Sequence, residues 1–146
     1  MFEIFGSVFH IAQQWQNITD KAIQPRIGMT VKQWLLIAVL EKIFPDYPPT
    51  INQAAEAYGT SRQNIMRMAL DLQKNRFAIV ANDPLDKRIQ RIVITGKHKM
   101  LFENSNSIEW QEKTIKNLFV GLEETEIDLF HAITKKLIGR INEIKK

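Results

Sequence analysis

The segment from Gln53 to Met68, QAAEAYGTSRQNIMRM, constrains the fold of this chain more than any other stretch. It has the internal logic of a helix-turn-helix. Ala55 is small where two helices must cross closely, Gly59 stands where the turn requires a positive φ, and Ile65 is apolar where the second helix meets the first. The second helix then exposes Ser61, Arg62, Gln63, Asn64 and Arg67 near its N-terminal half. Arg offers paired donors that match guanine, while Gln and Asn offer a donor and an acceptor that match adenine, so this cluster suits a helix lying in a DNA major groove. Taken singly, each of these side chains reads equally as part of a solvated helix face.

The flanking elements follow from periodicity and capping. Upstream, Ile4, Val8, Ile11, Trp15 and Ile18 step by four and three, which predicts a first helix with one apolar stripe, ended by Pro25 and Gly28. Thr30 with Gln33, Thr50 with Gln53 and Thr60 with Gln63 each have the spacing of a capping box, so three helices are expected to begin there. The first of the three runs to about Ile43 and is closed by Pro45, Pro48 and Pro49. After Asn75 the pattern turns β-branched and aromatic. Phe77, Ile79 and Val80 precede the turn sequence Asn82 to Asp86, and Ile89, Ile92, Val93 and Ile94 follow it, which predicts a hairpin with Lys87 and Arg88 at its tip. Asp86 serves the turn, orients Arg88 by a charge-assisted hydrogen bond, or both. Beyond Thr95, Leu101, Ile108, Ile115 and Leu122 recur every seven residues, Gly121 marks a break, and Ile127, Phe130, Leu137, Ile141 and Ile144 predict a last helix interrupted by Thr134.

The expected architecture is mainly α with a small β-hairpin wing: a winged helix-turn-helix flanked by long terminal helices. The chain reads as one winged-helix domain over 1–146, with a core for DNA binding at 30–96 and dimerisation helices at 1–24 and 98–146. Apolar stripes far apart in sequence but alike in pattern are most economically buried against each other and a second copy of the chain. They would otherwise cover the central domain of a monomer.

Charge supports a polyanionic partner. The net charge is +4, yet residues 60–100 hold nine Lys or Arg against three acids, and the remainder is slightly acidic. Scattered solvated lysines would give the same count. Arg91, Lys97 and Lys99 add candidate phosphate contacts. No apolar run reaches the roughly 18 residues that span a bilayer, and Met1 to Gln16 lacks the pattern of a signal peptide, so a cytoplasmic protein without membrane association is expected. The chain has 0 cysteines, which removes disulfide, thiolate-zinc and cysteine redox chemistry. His10, His98 and His131 share no metal-binding spacing, and no phosphate loop, nucleophile elbow or catalytic carboxylate pair is present. Neither a metal, a cofactor nor an enzymatic activity is expected.

The helix-turn-helix followed by Asp86, Lys87, Arg88 and then Ile94 and Thr95 resembles the wing signature of the multiple-antibiotic-resistance-regulator (MarR) family, with Ile94 in place of the usual leucine. The helix order, the Thr30 to Trp34 entry to the second helix and the segment Leu118 to Leu122 are similar to that family as well. Glu123 departs from it, standing where a serine helix cap is common. The resemblance implies an obligate dimer, two recognition helices on a pseudo-palindromic site in double-stranded DNA, repression relieved by a signal, and Arg88 as the minor-groove residue of the wing. It also puts Trp15, Trp34 and Trp110 on helices where such proteins form an effector cleft, with Arg26 as a charge for an anionic aromatic ligand; tryptophans at helical spacing serve equally as core. The competing reading is a winged-helix module for protein assembly without specific DNA binding. Such a module would be expected to carry apolar residues on the recognition-helix face, where this sequence offers Arg62, Gln63, Asn64 and Arg67.

Overall fold

A computed structural model describes residues 1–102 and 105–144. The elements are α1 (Phe2–Ile27), α2 (Val31–Ile43), α3 (Ile51–Tyr58), α4 (Arg62–Lys74), β1 (Ala78–Asn82), β2 (Gln90–Ile94), α5 (Lys97–Phe102), α6 (Ser105–Asn117) and α7 (Glu124–Ile144). They form two compact units, Met1–Ile108 and Glu109–Lys146.

Local chemistry places the helix starts. Thr30 and Thr50 each cap a helix with a complete box. The Gln33 amide oxygen accepts from the Thr30 N–H at 2.9 Å while the Thr30 hydroxyl accepts from the Gln33 N–H at 3.3 Å. Thr50 and Gln53 repeat this at 2.9 and 3.2 Å. The third expected box does not form. Ser61 is the cap of α4, its hydroxyl accepting from the Asn64 N–H at 3.2 Å, and the helix starts one residue later than expected. The turn consumes Gly59 and Thr60, and Thr60 then lies outside the reach of the N3 amide that a box requires. The end of α1 also differs from expectation. Pro25 lies inside α1, and the helix runs past residue 24 to Ile27, where Gly28 closes it in the left-handed conformation with φ 80°. A proline in the last turn removes one N–H and leaves the end of the helix to the glycine.

The core of the first unit is built by α2, α3, α4 and the hairpin. Leu36, Ile37 and Leu40 of α2, Ile51, Ala54 and Ala55 of α3, and Ile65, Met68, Ala69 and Leu72 of α4 are buried. Phe77, Ala78 and Ile92 close it from the hairpin side. Strands β1 and β2 pair antiparallel, with Ala78 opposite Ile94 and Asn82 opposite Gln90. A short bridge between Thr50 and Arg91, with the Ile92 N–H donating to Pro49 O at 2.9 Å, ties β2 to the segment before α3. The C-terminal end of α1 is pinned as well: Asp20 accepts from the Val31 N–H at 2.6 Å, and the Asn75 amide donates to Gly28 O at 2.9 Å.

Most of α1 makes no such commitment. Ile4, Phe5, Val8, Phe9, Ile11 and Ile18 are all exposed. In the second unit α7 buries no residue, and Leu129, Leu137, Ile138, Ile141 and Ile144 are exposed. Glu123 stands at the start of α7, where its N–H donates to the Glu126 carboxylate at 2.8 Å, so a carboxylate from the first turn satisfies the group that a serine box would. The seven-residue repeat does not continue along one helix. Leu101 lies on α5, Ile115 on α6 and Leu122 in the turn after α6, while the side chain of Ile108 is outside the described residues. Gly121 has φ 94° in that turn, as its break position requires.

Candidate nucleic-acid interface

Between α3 and α4 the chain reverses through Gly59, at φ 80° and ψ 41°, a conformation that costs an L-residue about 1–2 kcal/mol. Burial of Ile65, Met68, Ala69 and Leu72 then seats one face of α4 on the core. The opposite face presents Ser61, Arg62, Gln63 and Arg67 to solvent, with Asn64 half-buried. Asn64 is spent internally. Its side-chain N–H donates to the Thr60 hydroxyl at 3.0 Å, and its oxygen accepts from the Arg67 guanidinium at 2.8 Å. The amide thus holds Arg67 in place, and Arg62 and Gln63 are the two side chains of the cluster left outside this network.

Met66 and Leu70 share that outer face. With Arg62, Gln63 and Arg67 they line one shallow depression along α4. Residue type alone does not reveal them, because Met and Leu on an amphipathic helix normally belong to its core stripe. Spacing does: Met66 and Leu70 fall at i+4 and i+8 from Arg62, whereas Ile65, Ala69 and Leu72 follow the buried stripe. This outer face is therefore mixed, and the contrast with an assembly surface is less sharp than sequence alone implies.

The hairpin carries the second part of the surface. Asp83 Oδ1 accepts from the Leu85 and Asp86 N–H groups at 2.8 and 3.2 Å, which forms the turn. One Asp86 oxygen accepts from both the Arg88 backbone N–H at 3.0 Å and its Nε at 3.3 Å. Asp86 therefore performs both of its expected tasks, shaping the turn and aiming a guanidinium whose side chain is 93% exposed. Lys87 is exposed beside it.

Arg91 is engaged within the fold. Its Nε donates to Asp83 and its Nη1 to Pro48 O at 2.7 Å, which locks the hairpin base to the segment between α2 and α3. The hydrogen bond from Arg91, reinforced by the two turn N–H donors, holds the Asp83 carboxyl below its ordinary value of 3.8. The other two candidate phosphate contacts also have partners in the fold. Lys97 donates to Asn75 O at 2.8 Å and lies 4.5 Å over the Phe77 ring. Lys99 pairs with Glu41 at 3.4 Å.

The candidate effector residues are spread along their helices: Trp15 is half-buried, Arg26 is exposed near the end of α1, and Trp34 on α2 is 43% exposed. The side chain of Trp110 lies outside the described residues. A cavity of about 410 Å³ opens elsewhere, lined by Leu40, Phe44, Tyr47, Pro48, Ile92 and Lys99 among others. His98 is buried and its Nε2 lies 3.1 Å from Glu41, an ordinary structural role. Among the described residues no group of three His, Asp or Glu side chains is placed to hold a metal ion, and no helix is long and apolar enough to cross a membrane.

No protein-family model and no curated protein matches this chain. Similarity lies in the backbone. The crystal structure of MarR superposes with a TM-score of 0.76 at 17% identity, covering 96% of this chain and 98% of that one. Sco3205, a MarR-family transcriptional regulator from Streptomyces coelicolor solved in complex with DNA, matches with a TM-score of 0.67 at 17% identity over 92% of this chain and 83% of that one. BpsR of Bordetella bronchiseptica, whose DNA binding is regulated by 6-hydroxynicotinic acid, matches with a TM-score of 0.67 at 16% identity over 92% and 91% of the two chains. At these identities it is the architecture that is shared: this chain has the winged-helix fold of the MarR-family transcriptional regulators.

Proposed function

We propose that this chain is a MarR-type transcriptional regulator, a cytoplasmic repressor that binds a pseudo-palindromic operator as a homodimer and whose chemistry is binding, not catalysis. The observation that carries the reading is the outer face of α4. A well-capped helix, fixed by its core stripe, holds Arg62, Gln63 and the braced Arg67 exposed on a scaffold shared with DNA-binding regulators. Residues 30–96 form the DNA-binding core. Ser61 sets the start of α4 and, with Arg62, Gln63, Asn64 and Arg67, faces the major groove, Asn64 acting through Arg67. Lys87 and Arg88 at the hairpin tip reach the minor groove, where narrow A·T-rich stretches concentrate negative potential. Arg91 supports the hairpin through Asp83 and Pro48.

The exposed apolar residues of α1, and separately those of α7, supply the dimer contacts, within segments 1–24 and 98–146. Two copies then present their α4 helices about one DNA turn apart, ~34 Å. A small-molecule effector fits this scheme, with Trp15, Arg26, Trp34 and Trp110 as its candidate contacts. It would act by preferring one separation of the two recognition helices.

Fluorescence anisotropy of the purified protein against its own upstream DNA and a scrambled duplex, at two salt concentrations, tests the reading. Tight binding to the upstream DNA alone is expected, weakening steeply with salt. Arg62→Ala and Arg88→Ala should each cost about 1–3 kcal/mol of that binding. Equal weak binding to both duplexes, unchanged in the two variants, would move an assembly module to first place.

A further inference from the structure

The function just proposed leaves two apolar side chains on the recognition face unexplained. Met66 is half-buried and Leu70 is 42% exposed, and neither belongs to the core stripe of Ile65, Met68, Ala69 and Leu72. Both line the same shallow depression as Arg62, Gln63 and Arg67. A lone surface apolar residue needs no explanation, but two in register beside the cations of a DNA-facing helix, both outside its core stripe, do.

The major groove offers one apolar feature to such a side chain, the C5-methyl of thymine. Hydrogen-bond readout from this face is narrow, because both ends of the Asn64 amide are occupied by Thr60 and Arg67. Met66 lies four residues beyond Arg62, just over one helical turn or about 6 Å along the axis. It therefore reaches a base one or two steps of about 3.4 Å from the one Arg62 reads. Its unbranched thioether adapts to a methyl group without demanding one geometry.

We propose that Met66, extended by Leu70, reads a 5-methylpyrimidine in each half-site, so that DNA affinity depends on the C5-methyl group itself. This rests on the DNA-binding reading above and adds to it the chemical group that is read. It carries a consequence beyond sequence preference: at that position 5-methylcytosine substitutes for thymine in the contact, whereas unmodified cytosine and uracil do not.

The test uses the full chain and the tightest-binding duplex recovered from a randomised library. Each thymine of one half-site is replaced in turn by deoxyuridine, which removes only the methyl group, and affinity is read by anisotropy. One or two positions should lose about fourfold, the effect of leaving one methyl group unburied. A duplex carrying cytosine at such a position should regain affinity on 5-methylation. Met66→Ala should bind the thymine and uracil duplexes equally, and so should Met66→Gln, which keeps the side-chain length and the helix. Specific binding that ignores the methyl group at every position, or methyl dependence that persists in both Met66 variants, would overturn the inference while leaving the regulator reading intact. Failure of the library to yield any preferred duplex would remove both readings. Self-association of the wild type through this face, lost in both Met66 variants and indifferent to DNA, would assign the strip to protein contact instead.

Discussion

At the scale of single residues, acids and amides steady the exposed cations of the candidate interface. Arg67 is held by Asn64 and Arg88 by Asp86, so in the proposed complex each guanidinium would have less side-chain entropy left to lose. The pair formed by Asp83 and Arg91 serves the scaffold. Asp83 is ionised below its ordinary 3.8 because Arg91 and two turn N–H groups favour the carboxylate. A lowered folded-state value means that its stabilising contribution is present above the unfolded value and is lost as pH falls through the folded one. Thermal melting of the wild type should therefore weaken on acidification below 3.8 more steeply than that of Asp83→Asn. At neutral pH the same variant should melt lower and lose amide protection across the hairpin. Superimposable pH profiles for the two proteins would show that the pair contributes nothing to folding.

At the scale of elements, the start of α4 is where a one-residue shift changes roles. Ser61 caps the helix through the Asn64 N–H, whereas Thr60 accepts from the Asn64 side chain. Ser61→Ala should cost about 1 kcal/mol of stability, the usual loss of a helix cap, measured by urea unfolding. Thr60→Ala should cost less, about 0.5 kcal/mol, since it removes one part-buried side-chain hydrogen bond and no helix cap. It should still weaken DNA binding, because Asn64 then holds Arg67 less firmly. The reverse ranking in stability would mean that Thr60 is the cap.

At the scale of the whole molecule, each of the two units leaves apolar side chains uncovered among the described residues. Unit Met1–Ile108 exposes Phe5, Val8, Phe9 and Ile11 on α1, and unit Glu109–Lys146 exposes Leu137, Ile138 and Ile141 on α7. A helix that buries nothing has only its propensity to hold it, which is marginal in water. Sedimentation equilibrium should accordingly return a dimer, twice the 17.0 kDa chain, at micromolar concentration. Phe9→Glu and Leu137→Glu should each shift the population toward monomer and lower the melting temperature, through a charge placed in the contact. Monomeric wild type over that range would leave both helices in need of another cover.

Much of this architecture was legible because it rests on local interactions. Thr30 with Gln33, Thr50 with Gln53, the left-handed Gly59 and the Asn82 to Asp86 turn act over two to four residues, so their physics is visible in a short window. Local chemistry misled where two local signals competed. Thr60 and Ser61 both resemble caps, and the length of the turn chose between them; Pro25 and Gly28 both resemble stops, and only the glycine can adopt the closing conformation. What tertiary structure alone decided is the division of labour among the cations and apolar side chains. Nine basic residues in the central segment are alike by composition, yet Arg91 and Lys97 are held by Asp83, Pro48, Asn75 and Phe77, residues that folding brings to them from up to 43 positions away, while Arg62, Lys87 and Arg88 stay outward. Packing of α4 likewise turned Met68 inward and Met66 outward, because a core accepts only the face that fits it.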